Sequence, residues 1–247
     1  LPTNRFRLKK VCRACDLDMN VAGLGECGEF LIPVVAAASA GKSMWLTGAV
    51  DDAQSHQSDA QLDVAEPTRK KEFEQAVSYL KRGSLLSKTA RYTCPAAMPI
   101  LVGDPASPNG LAYMYDSDGA AFTDTERLKE YTFNKSLSGM VVIIDPFAEP
   151  GLLALSTVND PGQLETAGLN PAHDGVQLVL ENQLKSLETH GNRAPGQQLN
   201  IPVAVVVTKI DAGGLANELE NELDGELPCR MPLAEQFGIF RSGYEWK

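Results

Sequence analysis

Three short runs of residues carry groups that can act together on a phosphorylated ligand. The first is Ala36-Ala37-Ala38-Ser39-Ala40-Gly41-Lys42-Ser43, which follows an apolar run and precedes a helical one. In that context a glycine-containing loop wraps phosphate. The backbone N–H groups of Ala38, Ser39, Ala40, Gly41, Lys42, Ser43 and Met44 would point at the ligand, and the helix N-terminus adds partial positive charge. Lys42 can meet β- and γ-phosphate charge, and the Ser43 hydroxyl can ligate Mg²⁺. The second run is Tyr115-Asp116-Ser117-Asp118-Gly119. Its Asp116 carboxylate would hold Mg²⁺ through water, and the Gly119 N–H would touch the terminal phosphate. The third is Thr208-Lys209-Ile210-Asp211. The Asp211 carboxylate can accept from the N1 and exocyclic N2 donors of guanine, a pair that adenine lacks, while the Lys209 stem packs on the base plane.

Each run also has a plainer reading. Gly-Lys-Ser occurs at ordinary strand–turn–helix corners, Asp-Ser-Asp-Gly at surface turns, and Thr-Lys-Ile-Asp at helix starts with an acid near the dipole. Their order, and their placement at the C-terminal ends of strands, point jointly to a nucleotide site.

The elements that must hold these runs are readable from periodicity. Phe30 to Ala37 predicts a buried strand, with Pro33 a blemish for a central position. Lys42 to Ala49 predicts the first helix, and the polar stretch from Asp51 to Thr68 an exposed insertion. In Lys70 to Leu80, Phe73, Ala76, Val77 and Leu80 fall on one helical face. Ile100 to Val102 and Leu111 to Tyr115 flank the turn-rich GDPASPNG and predict an antiparallel hairpin. Thr123 to Asn134 predicts a helix with Thr123 as N-cap and Glu126 at the capping-box spacing. Gly139 to Ile144 and Ile201 to Val207 predict buried strands. Between them lie a long Pro- and Gly-rich connection, Asp145 to His173, and an amphipathic helix from Asp174 to Thr189. That helix carries Val176, Val179, Leu180, Leu184 and Leu187. Leu215 to Leu223 predicts a last helix. The alternation of strands and helices predicts an α/β fold with a mainly parallel sheet.

The 247 residues suffice for one large domain, and 43% apolar residues support a sizeable core. A net charge of -10 argues against a nucleic-acid backbone as partner. No apolar run approaches the roughly 18 residues of a membrane span. Five cysteines, irregularly spaced, suggest a reducing cytoplasm rather than a disulfide framework. His56, His173 and His190 have no metal-ligand spacing. The absence of an initiator Met leads us to expect an excised fragment. Residues 1–28 read as a Cys-containing appendage and residues 29–247 as the nucleotide domain.

With these motifs in place, the chain resembles the bacterial double-GTPase group of the translation-factor-related (TRAFAC) P-loop GTPases, often linked to prokaryotic conflict systems. The resemblance rests on Gly41-Lys42-Ser43-Met44-Trp45-Leu46-Thr47, Arg82-Gly83-Ser84-Leu85-Leu86-Ser87-Lys88-Thr89, Tyr115-Asp116-Ser117-Asp118-Gly119 and the strand ending Val141-Val142-Ile143-Ile144-Asp145-Pro146. It implies a Ras-like three-layer P-loop NTPase with one antiparallel hairpin strand, GTP/GDP and Mg²⁺ as cofactors, and a protein partner in a larger assembly. It makes Thr89 the candidate switch residue that closes on Mg²⁺ and the γ-phosphate; as residues alone, Thr89 is equally a plain loop Thr. Asp145-Pro146 reads as a strand end rather than a nucleotide contact. Relatives of this kind often carry a zinc ribbon, for which Cys12 and Cys15 would supply one knuckle; Cys27 lies nearby, and four ligands are needed.

Two departures bear on activity. Ala36 stands where the loop usually begins with Gly, and Ala120 stands where many such enzymes place a water-orienting Gln. No Ser-Ala-Lys-like loop follows Asp211. The expectation is a GTP-binding switch with slow or partner-assisted hydrolysis, in which Lys42 stabilises charge and Asp118 or a partner orients water. The alternatives are a nucleotide-free pseudo-GTPase scaffold and an ATPase of relaxed base choice.

Overall fold

The described residues of the computed structural model are 21–55, 61–84, 86, 97–104, 107–158, 160–166, 169–190, 194 and 197–215. In chain order their regular elements are β1 (Gly28–Val35), α1 (Lys42–Ser55), β2 (Leu62–Val64), α2 (Pro67–Lys81), β3 (Ala97–Val102), β4 (Gly110–Asp116), α3 (Thr125–Lys129), β5 (Met140–Ile144), α4 (Pro150–Leu153), α5 (Pro161–Thr166), α6 (Val176–Thr189) and β6 (Val203–Val207). They form a six-stranded sheet in the order β2-β3-β4-β1-β5-β6. β4, β1, β5 and β6 are mutually parallel, and β3 runs antiparallel to both β2 and β4. Parallel neighbours require crossovers, and the helices supply them. The predicted α/β class, with a mainly parallel sheet and a β3–β4 hairpin, is the architecture observed.

β1 and β5 are interior strands, and all five residues of β5 are buried, as an apolar β-branched run covered on both faces should be. Pro33 is accommodated by strand alternation. Leu31 exchanges bonds with Ser138, accepting from its backbone N–H at 2.9 Å and donating to its hydroxyl at 3.2 Å. Two residues on, Pro33 turns its nitrogen the same way, toward the segment just ahead of β5, so its missing donor leaves the β1–β4 ladder intact.

Several expectations are corrected. The described residues between Asp51 and Thr68 do not form an exposed insertion: α1 continues to Ser55 and β2 pairs with β3. Val64 and Ala65 are buried there, and the Ala65 N–H donates to Pro99 O at 2.8 Å. The helix expected from Thr123 to Asn134 is broken into a 3-10 turn (Gly119–Thr123), α3, and a second 3-10 turn (Thr132–Lys135). Its cap is Asp124, extended at φ -117 and ψ 101, whose carboxylate accepts from Glu126 N and Arg127 N. Thr123 instead turns back to donate to Ala120 O. β6 is an edge strand among the described residues, with Val205 45% exposed, rather than a buried one. Residues 145–173 hold a 3-10 turn, α4 and α5 rather than an open connection. Of the helix predicted from Leu215, only buried Leu215 falls among the described residues.

The five apolar positions predicted on α6 are all buried, but so are Asn182, Gln183 and Ser186. These polar groups tie α6 to the 119–135 segment. Gln183 donates to Asn134 Oδ1 at 2.9 Å, Asn134 to Ser186 Oγ at 2.9 Å, Ser186 to Leu128 O at 3.0 Å and Asn182 to Phe122 O at 3.0 Å. In a second cluster, Val21, Leu24, Cys27 and Tyr113 pack against Ala65, Leu101 and Leu111. The described end of the expected appendage therefore belongs to this core. No described helix is long and apolar enough to cross a membrane.

Candidate functional site

The three motifs meet at the C-terminal ends of β1, β4 and β6, the edge of an open α/β sheet where ligands bind. Leaving β1, the chain passes through buried Ala36 and Ala37 and then turns twice into the left-handed region, at Ser39 (φ 68) and Gly41 (φ 84). A side chain is disfavoured there by about 1–2 kcal/mol, so Ser39 holds a strained conformation. Left-handed residues alternating with ordinary ones aim successive N–H groups to one side, a concavity suited to an anion. Lys42 then opens α1. Ala36 is not among the positive-φ residues, so the backbone conformation here does not demand glycine at that position.

Lys42 is 7% exposed, and its ammonium lies 3.1 Å from Asp116 Oδ1. The Ser43 hydroxyl donates to Asp116 Oδ2 at 2.6 Å. One carboxylate at the end of β4 thus joins the two side chains that begin α1. Beyond it, Gly119 is pressed against the loop. A Cβ on Gly119 would lie 2.5 Å from Ala38 N and 2.6 Å from Ala38 Cα. Only glycine permits this approach of the D-x-x-G turn to the loop between β1 and α1.

Asp118 precedes Gly119 in the second motif. It caps the 3-10 turn, accepting from Ala120 N at 3.3 Å, and lies 3.6 Å from Arg127 Nη1. Ala120 contributes its N–H to that cap and has no polar side chain.

The Thr-Lys-Ile-Asp run follows β6 and is tied directly to the loop between β1 and α1. Thr208 Oγ1 donates to Ala40 O at 2.7 Å, with Ile144 O at 3.2 Å, and Thr208 N donates to Ile144 O at 3.0 Å. Lys209 adopts φ 55. Its ammonium reaches Ser39 O at 2.9 Å, Asp145 Oδ2 at 2.5 Å and Asn170 O at 2.8 Å. A lysine has three N–H donors, and all three are engaged, so this long side chain is fixed. Asp211 is exposed on the turn that Ala212 N closes onto Lys209 O at 3.1 Å. Met44 is 41% exposed at the start of α1.

Sequence reasoning missed Asp145 as a part of this site. Its buried carboxylate accepts from Phe147 N at 3.0 Å and Ala172 N at 2.8 Å besides Lys209. Glu149 is buried nearby and accepts from Val176 N at 2.6 Å, so a residue from another element caps α6. Burial raises the Glu149 carboxyl above the ordinary glutamate range, the Val176 N–H opposes that, and the Asp145 charge adds to it. No local pattern announces a carboxylate whose donors lie 27 residues away.

Thr89, Cys12 and Cys15 lie outside the described residues. Among the described residues no group of three or more His, Cys, Asp or Glu is arranged to hold a metal ion. Cys27 is a free thiol whose Sγ lies 3.5 Å from Gly23 O. The oxygen donors of Ser43 and Asp116 are those a hard divalent cation prefers. No family model matches the chain, and no curated protein matches its sequence.

Proposed function

We propose that this chain is a GTP-binding switch domain of the P-loop GTPase kind, with slow or partner-assisted hydrolysis. The observation that carries the reading is the convergence of both ends of the site on one loop. Lys42 and Ser43 share Asp116 on the phosphate side, while Thr208 and Lys209 bond to Ala40 O and Ser39 O on the base side. A sheet in which β3 alone runs antiparallel also agrees with the Ras-like arrangement.

In this reading the nucleotide phosphates lie in the concavity around Ser39 and Gly41, and Lys42 exchanges Asp116 for β- and γ-phosphate oxygen. Ser43 and Asp116 would hold Mg²⁺, which when bound neutralises phosphate charge. Gly119 brings its N–H to the terminal phosphate, and Asp211 accepts from the guanine N1 and N2 donors. Asp118 is committed to Ala120 N and Arg127, and Ala120 cannot polarise water. Ala120, at the position where many such enzymes place a Gln, therefore offers the attacking water no orienting side chain, which supports slow turnover until a partner supplies one.

One observation favours the scaffold reading: Lys42 and Ser43 both engage Asp116 without a ligand. Calorimetric titration in Mg²⁺ with a non-hydrolysable GTP analogue, the ATP analogue and a Lys42→Ala control separates the two. Guanine-selective binding lost in the control is the expected result. No heat with either nucleotide, from folded protein, favours the scaffold.

A further inference from the structure

We infer that the segment after β5, residues 145–173, is part of the base-recognition apparatus, with Asp145 the positioning residue for Lys209 and Ser156 and Thr157 the positioning residues for the Asp211 turn. The inference rests on the nucleotide reading above and adds to it which residues set base selectivity.

Two independent sets of contacts carry it. At the start of the segment, the Asp145 side chain is 1% exposed, and its Oδ2 receives both the Lys209 ammonium and the Ala172 N–H. Near the far end, Asn170 O takes another of the Lys209 donors. The segment thus provides two of the three acceptors that fix this lysine, and Ser39 O on the phosphate loop provides the third. A lysine ammonium on four flexible carbons holds a base-stacking pose only if its donors are directed.

In the middle of the segment, Gly213 O accepts from Thr157 N at 2.9 Å, Thr157 Oγ1 at 2.8 Å and Ser156 Oγ at 3.2 Å. Gly213 has φ 60, and a Cβ there would overlap Ser156 Oγ. The turn that presents Asp211 is therefore clamped two residues beyond it by a close backbone approach. Lys209 and Asp211 are both held from one stretch of chain that has no nucleotide motif of its own.

The test is Mg²⁺-dependent binding of GDP and IDP to the full chain, wild type and variants. Inosine lacks the N2 amine, so the GDP/IDP ratio reads the position of Asp211, whereas a general structural defect weakens both ligands alike. Asp145→Asn should weaken GDP roughly tenfold, a size typical of a coupled pair. The same change in a Lys209→Met background should have no further effect. Ser156→Ala/Thr157→Val should lower the GDP/IDP ratio about threefold or more, the scale of one net hydrogen bond. If Asp145→Asn does not fold, the single change Thr157→Val decides by the same ratio, because Thr157 is exposed. Wild-type binding left intact by these variants overturns the inference alone, as do fully additive losses for Asp145 and Lys209. Absence of GDP binding by the wild type overturns the nucleotide reading and the inference with it.

Discussion

Replacing Asp116 by Asn isolates one electrostatic contact without making a cavity. The change keeps the shape of the side chain and an oxygen able to accept from Ser43, but removes the negative charge 3.1 Å from the Lys42 ammonium. Lys42 is 7% exposed, and Asp116 is its only counter-ion among the described residues. At 3.1 Å and an effective dielectric constant of about 20, the attraction is roughly 5 kcal/mol. Asp116 is 22% exposed, so solvent screening reduces this to about 2–3 kcal/mol of stability. Urea unfolding of the ligand-free protein should show a lower midpoint at unchanged slope. Sulfate or phosphate should then restore much of the loss, and should stabilise Asp116→Asn more than the wild type, because the anion replaces the missing counter-charge at the loop. An Asp116→Asn protein as stable as the wild type, or one that sulfate stabilises no more than the wild type, refutes the argument that Lys42 awaits an anion in a low-dielectric site.

Glu149→Gln tests the buried carboxylate that caps α6. The Glu149 carboxyl is raised on folding, so its favourable contribution is complete below the ordinary glutamate value and is lost as pH climbs through the folded one. The stability of Glu149→Gln relative to wild type should rise from about pH 4 toward neutrality, as read by thermal midpoints across that range. Tyr113 is pushed up to about 12, chiefly by burial and also by Glu29. Its hydroxyl finds no partner among the described residues. Wild type should lose stability between pH 10 and 12 as the unfolded chain ionises first; Tyr113→Phe should abolish that component and, at neutral pH, cost less than about 1 kcal/mol or stabilise. Asn134→Ala strips partners from Gln183 and Ser186 in a buried network and should cost about 2–4 kcal/mol by urea unfolding. A cost under about 1 kcal/mol would show that the network contributes little.

The parts of the fold that sequence made legible are those whose signal is local. The unbroken apolar run of β5, the spacing of Phe73 and Leu80 in α2, and the stripe from Val176 to Leu187 in α6 each dictate an element regardless of surroundings. β2 went unread because three residues, Leu62–Val64, carry too little pattern to stand out from a polar stretch. Asp124 prevailed over Thr123 as a cap because the turn after Gly119 uses the Thr hydroxyl itself. At the site, the loop, Asp116, Gly119, Thr208 and Lys209 were singled out by residue type and order. The acceptors that fix Lys209 were not, since Asp145 and Asn170 reach it only through the fold. The polar face of α6 was hidden for the same reason: Asn182 and Gln183 look solvent-facing until the 119–135 segment covers them.

The single reversed strand of the sheet also constrains how the chain reaches its native state. β3 and β4 are joined by a short turn and can zip together within their own stretch of chain. β1, which leads into the phosphate loop, closes a loop of about 80 residues to find β4 and one of more than 100 residues to find β5. Long-range parallel pairing of this kind is intrinsically slow. During synthesis from the N-terminus β1 emerges first, yet it must wait for strands made much later. The loop that follows β1 is thus made well before the strands that organise it, and a chain interrupted before β5 has a β3–β4 hairpin but lacks the β1–β5 pairing.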